Sequence, residues 1–312
     1  MSLSEELNDY IKLRQHRLIN SVLLYHDGEM LVERYYNGFD NNSKNVMRSI
    51  AKSITSIAAG ICLDRGLIGS VKDPIYKYLP IFGEGREIYH RGITVQSLLT
   101  MSSGIYWNGG VHYHCPQLYQ LRKSKDWLEY IADIAVKYPP YTKYVYKEPD
   151  VMLLGEVIAK ASGMPLYDFI EKNLYEPLGI QSGRWYQAPC GMTYSVANGE
   201  DDEYEAQSNL SARDLLKIGK LYLQDGFYDG KQILSREYIS ECITPSKCEK
   251  GYGYMWWLGE NWYGCRGYGG QNMTVFPKEK VIFVMQATPT PRGMAYYDVF
   301  GWVCEKVKEI SS

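Results

Sequence analysis

The chain has 312 residues, of which 45% are hydrophobic and 22% charged, and its formal net charge is -2. This balance argues against a nucleic-acid-binding or membrane-surface protein, and no apolar run reaches the length of a membrane span. Seven irregularly spaced cysteines argue against a disulfide framework, and the charged N-terminus lacks the pattern of a secretory signal, so a cytoplasmic protein is predicted.

The first predicted elements are a helix and a hairpin. Residues 4–18 have the spacing of an amphipathic helix. Two apolar runs then flank Asp27-Gly28, and this dipeptide predicts the tight turn of a β-hairpin. Residues 49–63 are small and apolar without proline, which predicts a helix that ends near Gly66.

The later part of the chain begins with a loop-rich stretch over residues 67–145. Two helices, two strands and a last helix are predicted after it, at residues 150–163, 211–226, 272–277, 280–287 and 293–309. Strands near both ends with helices between them predict an α/β (α+β) fold. In this fold the N- and C-terminal parts form one antiparallel sheet, flanked by helices, and a mostly helical lobe is inserted.

Histidine is the usual general base of hydrolases, and its placement here does not favour that role. The five histidines are His16, His26, His90, His112 and His114, so none lies in the last 198 residues. No Gly-x-Ser-x-Gly string is present either. A Ser-His-Asp enzyme therefore fits this sequence poorly.

Ser49 and Lys52 form the one Ser-x-x-Lys string in the chain. Residues three apart share a face of a helix, so the Lys52 amine can lie beside the Ser49 hydroxyl and act as its base. The start of a helix also offers N–H groups to a developing oxyanion. About one such string is expected by chance in a chain of this length, so an ordinary helix start is the alternative.

The neighbouring segments distinguish these two interpretations. In their common order along the chain they resemble the serine β-lactamase and penicillin-binding-protein superfamily, in particular its class C-like esterase and nylon-oligomer-hydrolase branch. The segments that carry the resemblance are MRSIAKSITSIAAG, VKDPIYKYLPIF, ITVQSLLTMSSGI, YKEPDVMLLGEVIAKASGMPLYDFIEKNLYEPLGI, LSARDLLKIGKLYLQDGFYDGKQIL, GYGYMWWL and CRGYGGQNMTVFP.

The resemblance implies a site between two lobes of one β-lactamase-like domain. The α/β lobe would comprise about residues 1–65 and 185–312, and the helical lobe about 66–184. Ser49 would be the nucleophile, Lys52 its base and Tyr146 the residue that relays a proton to the leaving group. The N–H groups of Ser49 and Tyr268 would form the oxyanion hole. No cofactor is implied.

A second candidate exists for the motif tyrosine. The string Tyr106-Trp107-Asn108 matches the family's usual Tyr-x-Asn, whereas Tyr146 is followed by Lys147-Glu148. Tyr146 is nevertheless preferred, because it opens the helix that the family places after this motif. A tyrosine placed between cations can lose its proton below its usual pKa.

The third motif also departs from the family pattern. Cys265-Arg266-Gly267-Tyr268 stands where Lys-Thr-Gly or His-x-Gly is common. Gly267 would allow close approach of the substrate, and Arg266 could supply the missing cation, with an exposed strand charge as its alternative. Glu148, which with Arg266 and Gly267 is predicted to bind substrate, adds a negative charge beside a site that would hold a penicillin carboxylate. The predicted substrate is therefore a small ester, amide or peptide-like molecule, with efficient β-lactam hydrolysis disfavoured.

Other functions remain open at this point. A penicillin-recognising sensor or a non-catalytic scaffold, a D-Ala-D-Ala carboxypeptidase and a true class C β-lactamase all occur in this superfamily. His112, His114 and Cys115 could bind a metal, but no second ligand pair follows at zinc-like spacing, so no metal site is predicted. The natural substrate and the oligomeric state are not predicted.

Overall fold

The structure is a computed structural model that describes residues 2–14, 16–108, 116–193, 209–290 and 294–310. His112, His114 and Cys115 lie outside these ranges. Within them, none of the helices combines the length and the apolar character that crossing a bilayer requires.

The central element of the described chain is an antiparallel sheet with the strand order β2-β1-β10-β9-β8-β7. Its strands are β1 (Ile19–His26), β2 (Glu29–Tyr35), β7 (Trp257–Leu258), β8 (Tyr263–Gly267), β9 (Gln271–Phe276) and β10 (Val281–Ala287). Two short antiparallel pairs accompany it: β3 (Lys44–Val46) with β4 (Asn209–Ser211), and β5 (Phe227–Tyr228) with β6 (Lys231–Gln232).

The hairpin predicted at Asp27-Gly28 is confirmed. β1 and β2 are antiparallel neighbours joined by these two residues, both of which have positive φ, 38° and 107°. Such a conformation is expected for a two-residue hairpin turn, and glycine adopts it at little cost.

The α-helices among the described residues cover both faces of the sheet, and most of them lie between β3 and β4 along the chain. They are α1 (Leu3–Leu13), α2 (Ile50–Asp64), α3 (Ile88–Arg91), α4 (Val95–Leu99), α5 (Pro116–Lys123), α6 (Trp127–Ala132), α7 (Glu148–Ser162), α8 (Leu166–Ile170), α9 (Glu176–Leu178), α10 (Ala212–Leu223), α11 (Arg236–Cys242) and α12 (Tyr297–Ile310). Most predicted helices are confirmed within a few residues. The first helix was predicted too long, because it ends at Leu13 and not at residue 18.

The sheet is covered on both faces, so β10 is buried along its whole length. One face packs against α1 and α12 through residues such as Leu7, Phe283 and Val303. The other face packs against α2 and α10 and joins the larger core, which continues into the helices that follow α2. This second face brings the start of α2 against the β8 end of the sheet. The division into two lobes with the predicted boundaries stays a prediction.

Candidate active site

Ser49 stands at the N-terminal end of α2, directly after a strained residue. Arg48 has a φ of 52°, a left-handed conformation that is costly for a residue other than glycine. This turn connects β3 to the helix and leaves Ser49 as its cap residue. One helical turn later, Lys52 donates a hydrogen bond from Nζ to Ser49 Oγ over 3.2 Å. The pair predicted from the Ser-x-x-Lys spacing is therefore formed.

Lys52 is enclosed by protein. Its side chain is 1% exposed, and its Nζ lies 3.6 Å from Oε1 of Glu148, which is 0% exposed. Burial disfavours the ammonium form and lowers the pKa of Lys52, while the Glu148 carboxylate acts in the opposite direction. Glu148 was predicted to bind substrate. In the structure it is the first residue of α7, pairs with the lysine, and is not among the residues that line the cleft at Ser49.

Tyr146 lies beside the Ser49–Lys52 pair, two residues before α7. It lines the same cleft as Ser49, and Lys52 Nζ lies 4.9 Å from the centre of its ring. The ring stacks on Trp257 at 5.6 Å and meets the edge of Tyr252 at 6.0 Å, which fixes its orientation. Burial raises the pKa of Tyr146, whereas a lowering between cations was expected. Tyr146 is therefore protonated and can serve as a proton donor.

The rival motif tyrosine points elsewhere. Tyr106 is 42% exposed, and its ring lies near Lys137, with 5.3 Å between the ring centre and Nζ. It is not among the residues that line the cleft at Ser49. The geometry favours Tyr146 over Tyr106, and the proton-relay role of Tyr146 stays a prediction.

A second buried ion pair holds the backbone that carries Tyr146. Lys147 and Asp150 are both 0% exposed, and their Nζ and Oδ2 atoms are 3.0 Å apart. Asp150 also accepts a 2.5 Å hydrogen bond from the Ser103 hydroxyl, and Lys147 donates to the carbonyl of Val145. Burial raises the pKa of Asp150 in spite of its cation partner. The sequence signal for this network is the Lys-x-x-Asp spacing of KEPD at a predicted helix start, since residues three apart share a helix face.

The end of β8 approaches the nucleophile segment at Gly267. A Cβ atom at this position would lie 2.3 Å from the Met47 carbonyl oxygen and 2.9 Å from Arg48 Cβ. Only a residue without a side chain allows this approach. Tyr268 follows Gly267 and lines the same cleft as Ser49. The oxyanion hole from the N–H groups of Ser49 and Tyr268 stays a prediction that this proximity supports.

Arg266 and Gly267 are successive residues of β8 and therefore face opposite sides of the sheet, so the Arg266 side chain turns toward α12. The guanidinium lies between two aromatic rings, 4.5 Å from the centre of Trp262 and 4.6 Å from that of Phe300. Its Nε and Nη2 atoms are buried and have no hydrogen-bond partner among the described residues. Arg266 also lines the cleft. The alternative of a freely exposed strand charge does not describe this side chain.

The cleft itself has a volume of about 400 Å³, which suits a small ligand. Its walls join α2, the segment before α7, β7 and the β8–β9 turn. Trp257, for which the sequence allowed either a cleft wall or core packing, lines the cleft. The lining residues that the sequence did not predict are Gly269, Gly270, Gln271, Asn272, Ala295 and Tyr297. The sequence gives little sign that Ala295 and Tyr297 belong to the site, because they reach the cleft only through the packing of α12 on the sheet.

No group of three or more His, Cys, Asp or Glu side chains within the described ranges is arranged to hold a metal ion. The chemistry available at the cleft is that of a hydroxyl, an amine, a phenol and a buried carboxylate. These groups can perform nucleophilic attack and proton transfer.

Comparison with known proteins identifies one family and relatives that match most of the chain. The Beta-lactamase family model matches residues 7–298. The 6-aminohexanoate-dimer hydrolase of Paenarthrobacter ureafaciens is 22% identical over an alignment that covers 93% of this chain and 78% of that protein.

Two solved structures have the same fold. EstCE1, a hydrolase with promiscuous acyltransferase activity, matches with a TM-score of 0.73 at 14% identity, over 98% of this chain and 97% of that one. The octameric penicillin-binding protein homologue from Pyrococcus abyssi matches with a TM-score of 0.69 at 19% identity, over 96% of this chain and 76% of that one. These matches confirm the predicted fold class, an antiparallel sheet flanked by helices.

Proposed function

The chain belongs to the Beta-lactamase family, and from this premise we propose that it is a serine hydrolase that forms an acyl-enzyme on Ser49 with an ester or amide substrate. One observation carries the proposal. The Ser49 hydroxyl accepts a hydrogen bond from the Lys52 amine, and Ser49 and Tyr146 line one cleft.

In the acylation step, Ser49 Oγ attacks the substrate carbonyl carbon and its proton passes to Lys52. The carbonyl electron pair moves to oxygen, where the N–H groups of Ser49 and Tyr268 would stabilise it. Collapse of this intermediate breaks the bond to the leaving group, which takes a proton from Tyr146. Lys52 then returns a proton to Tyr146. The raised pKa of Tyr146 supports its part as donor, since a protonated phenol is required.

In the second step, water attacks the acyl carbon and Ser49 leaves. The same groups act in reverse: Tyr146 accepts the proton of water as its own proton passes to Lys52, and Lys52 returns a proton to Ser49 Oγ. The net reaction is hydrolysis of an ester or amide, and no group outside the protein and water is needed.

We favour an ester or amide other than a penicillin as the substrate. Glu148 places a carboxylate next to Lys52, which reduces the positive charge available to a β-lactam carboxylate. The 6-aminohexanoate-dimer hydrolase relative, whose name describes an amide-cleaving enzyme, is consistent with this preference.

The proposal includes a cytoplasmic location. The described cysteines are free thiols, and such thiols persist most readily in a reducing compartment. They are Cys62, Cys190, Cys242, Cys248, Cys265 and Cys304. Fractionation of native cells followed by immunoblotting tests the location.

The test of function compares p-nitrophenyl acetate, p-nitrophenyl butyrate and nitrocefin as substrates. Wild type and Ser49→Ala are assayed beside Ser240→Ala, which removes an exposed hydroxyl on α11. We expect ester turnover in wild type and Ser240→Ala, and a fall to ~0.1% or less in Ser49→Ala because the nucleophile is gone.

The other outcomes are equally definite. Rapid Ser49-dependent nitrocefin cleavage would identify a true β-lactamase and refute the preference for other substrates. Equal turnover in wild type and Ser49→Ala would refute the acyl-enzyme. A stable acyl adduct on Ser49 by intact-mass analysis, without turnover, would favour the sensor function.

A further inference from the structure

Glu148 forms a fully buried ion pair with Lys52. The lysine side chain is 1% exposed, the glutamate side chain 0%, and Nζ lies 3.6 Å from Oε1. An isolated charge is costly to bury, whereas a pair without net charge is much less so. If this pair lost its proton to solvent, a negative charge would remain buried beside Ser49, and the dry surroundings oppose that state.

Among the described residues, the other groups around Lys52 do not supply an alternative proton acceptor. Tyr146 is protonated, because burial raises its pKa, and Lys147 is paired with Asp150 at 3.0 Å. Glu148 is the charged group that raises the pKa of Lys52, against the lowering by burial. Further titratable residues on the adjoining elements are Arg48, Tyr144, Tyr252, Cys265 and Arg266. Two of these are arginines, and the others are neutral when protonated.

We propose, building on the serine hydrolase function above, that Glu148 is a positioning residue that holds Lys52 as an ammonium in the free enzyme and accepts a proton from it when Ser49 attacks. This role is absent from a motif that carries the usual Tyr-x-Asn, because an amide cannot accept that proton. In this chain the base for Ser49 is the Lys52–Glu148 pair and not the lysine alone.

The proton balance of this step is complete. As the Oγ lone pair of Ser49 forms the bond to the carbonyl carbon, the Ser49 proton passes to Lys52. Lys52 gives one of its own protons to Glu148, remains an ammonium, and leaves Glu148 as a carboxylic acid. When the leaving group departs, the proton returns along the same path through Lys52 and Tyr146. In the free enzyme Lys52 Nζ lies 3.2 Å from Ser49 Oγ and 3.6 Å from Glu148 Oε1. Catalytic hydrogen bonds that are long in a free enzyme commonly shorten when substrate binds.

The test is the pH dependence of kcat/KM for p-nitrophenyl acetate in wild type, Glu148→Gln and Glu148→Asp. The acidic limb in wild type reports protonation of the pair, which removes the acceptor. In Glu148→Gln the lysine must first lose its proton to solvent, so the limb moves to higher pH by about one pH unit or more. Glu148→Asp restores a carboxylate, and its limb moves back toward that of wild type.

Two results would overturn the proposal. A purely electrostatic role for Glu148 predicts the opposite shift, since its removal favours the free amine of Lys52 and moves the limb to lower pH. A purely structural role predicts an unchanged limb with activity reduced equally at every pH. Glu148→Asn, which restores the family's usual amide, provides a second test if Glu148→Gln does not fold.

Glu305→Gln is the matched control, because Glu305 forms an exposed ion pair with Lys308 over 2.8 Å. Its pH profile should be that of wild type. Ser49→Ala separates the two proposals. Loss of turnover in Ser49→Ala with no limb shift in Glu148→Gln leaves the hydrolase function intact and refutes the role of Glu148. Turnover independent of Ser49 removes both.

Discussion

The contact at Gly267 allows a quantitative prediction for Gly267→Ala. The added Cβ would lie 2.3 Å from the Met47 carbonyl oxygen, whereas ordinary contacts begin at 3.4 Å, so the β8 end and the nucleophile segment must separate by about 1 Å. This displacement acts between Ser49 and Tyr268, the two residues of the predicted oxyanion hole. A misplacement of ~1 Å in a catalytic site can lower the rate by ~10²-fold. We therefore expect kcat/KM for p-nitrophenyl acetate to fall by about that factor.

The same substitution should also affect stability. Overpacking of a tightly packed site costs about 1–3 kcal/mol, which thermal unfolding monitored by circular dichroism can measure. Gly301→Ala is the control, because nothing lies within 4 Å of the Cβ that it adds on the surface of α12. We expect that variant to keep wild-type activity. If Gly267→Ala has the kcat/KM and melting temperature of wild type, the inferred close contact between β8 and the nucleophile segment is wrong.

Two further predictions concern Tyr146 and Arg266. Tyr146→Phe keeps the stack on Trp257 but removes the hydroxyl, so kcat should fall by ~10²–10⁴-fold with an unchanged fold. Tyr106→Phe is the control. Equal activities in both variants would contradict the role of Tyr146. Arg266→Met keeps an apolar stem between the rings but removes the cation. Relative to p-nitrophenyl acetate, KM for the p-nitrophenyl monoester of a dicarboxylic acid should then rise roughly tenfold, since a hydrogen bond to a charged group contributes about 1.5–3 kcal/mol. Equal changes for both esters would refute the substrate-binding role.

Local patterns in the sequence predicted the elements that depend on local interactions. The hairpin at Asp27-Gly28 follows from the conformational freedom of its turn residues, and the Ser49–Lys52 contact follows from helical spacing. The capping box at Ser211 and Asp214 defines the start of α10 where it was predicted. Each of these features depends on residues no more than a few positions apart.

The rest of the site depends on contacts between distant segments. That Arg266 stacks between Trp262 and Phe300 follows from the packing of α12 on the sheet, which no string of residues in the third motif reveals. The partnership of Glu148 with Lys52 depends in the same way on the packing of α7 against α2. Tyr146 was expected between cations. The net effect of its surroundings depends on burial, which raises the pKa and which the order of residues does not show.

The pairing of β1 with β10 has a consequence for how the protein is made. Ser21 and Gln286, which share a hydrogen bond across these two strands, are 265 positions apart in the chain. During synthesis the β1–β2 hairpin leaves the ribosome long before its partner strand exists, with the apolar residues of β1 uncovered. Because β1 cannot pair with β10 until the residues between them have been made, the nascent chain spends much of its synthesis with an open sheet edge, and closing so long a loop is slow even then. Chaperone contact with the β1–β2 segment and a sensitivity of soluble yield to translation speed are the expected results.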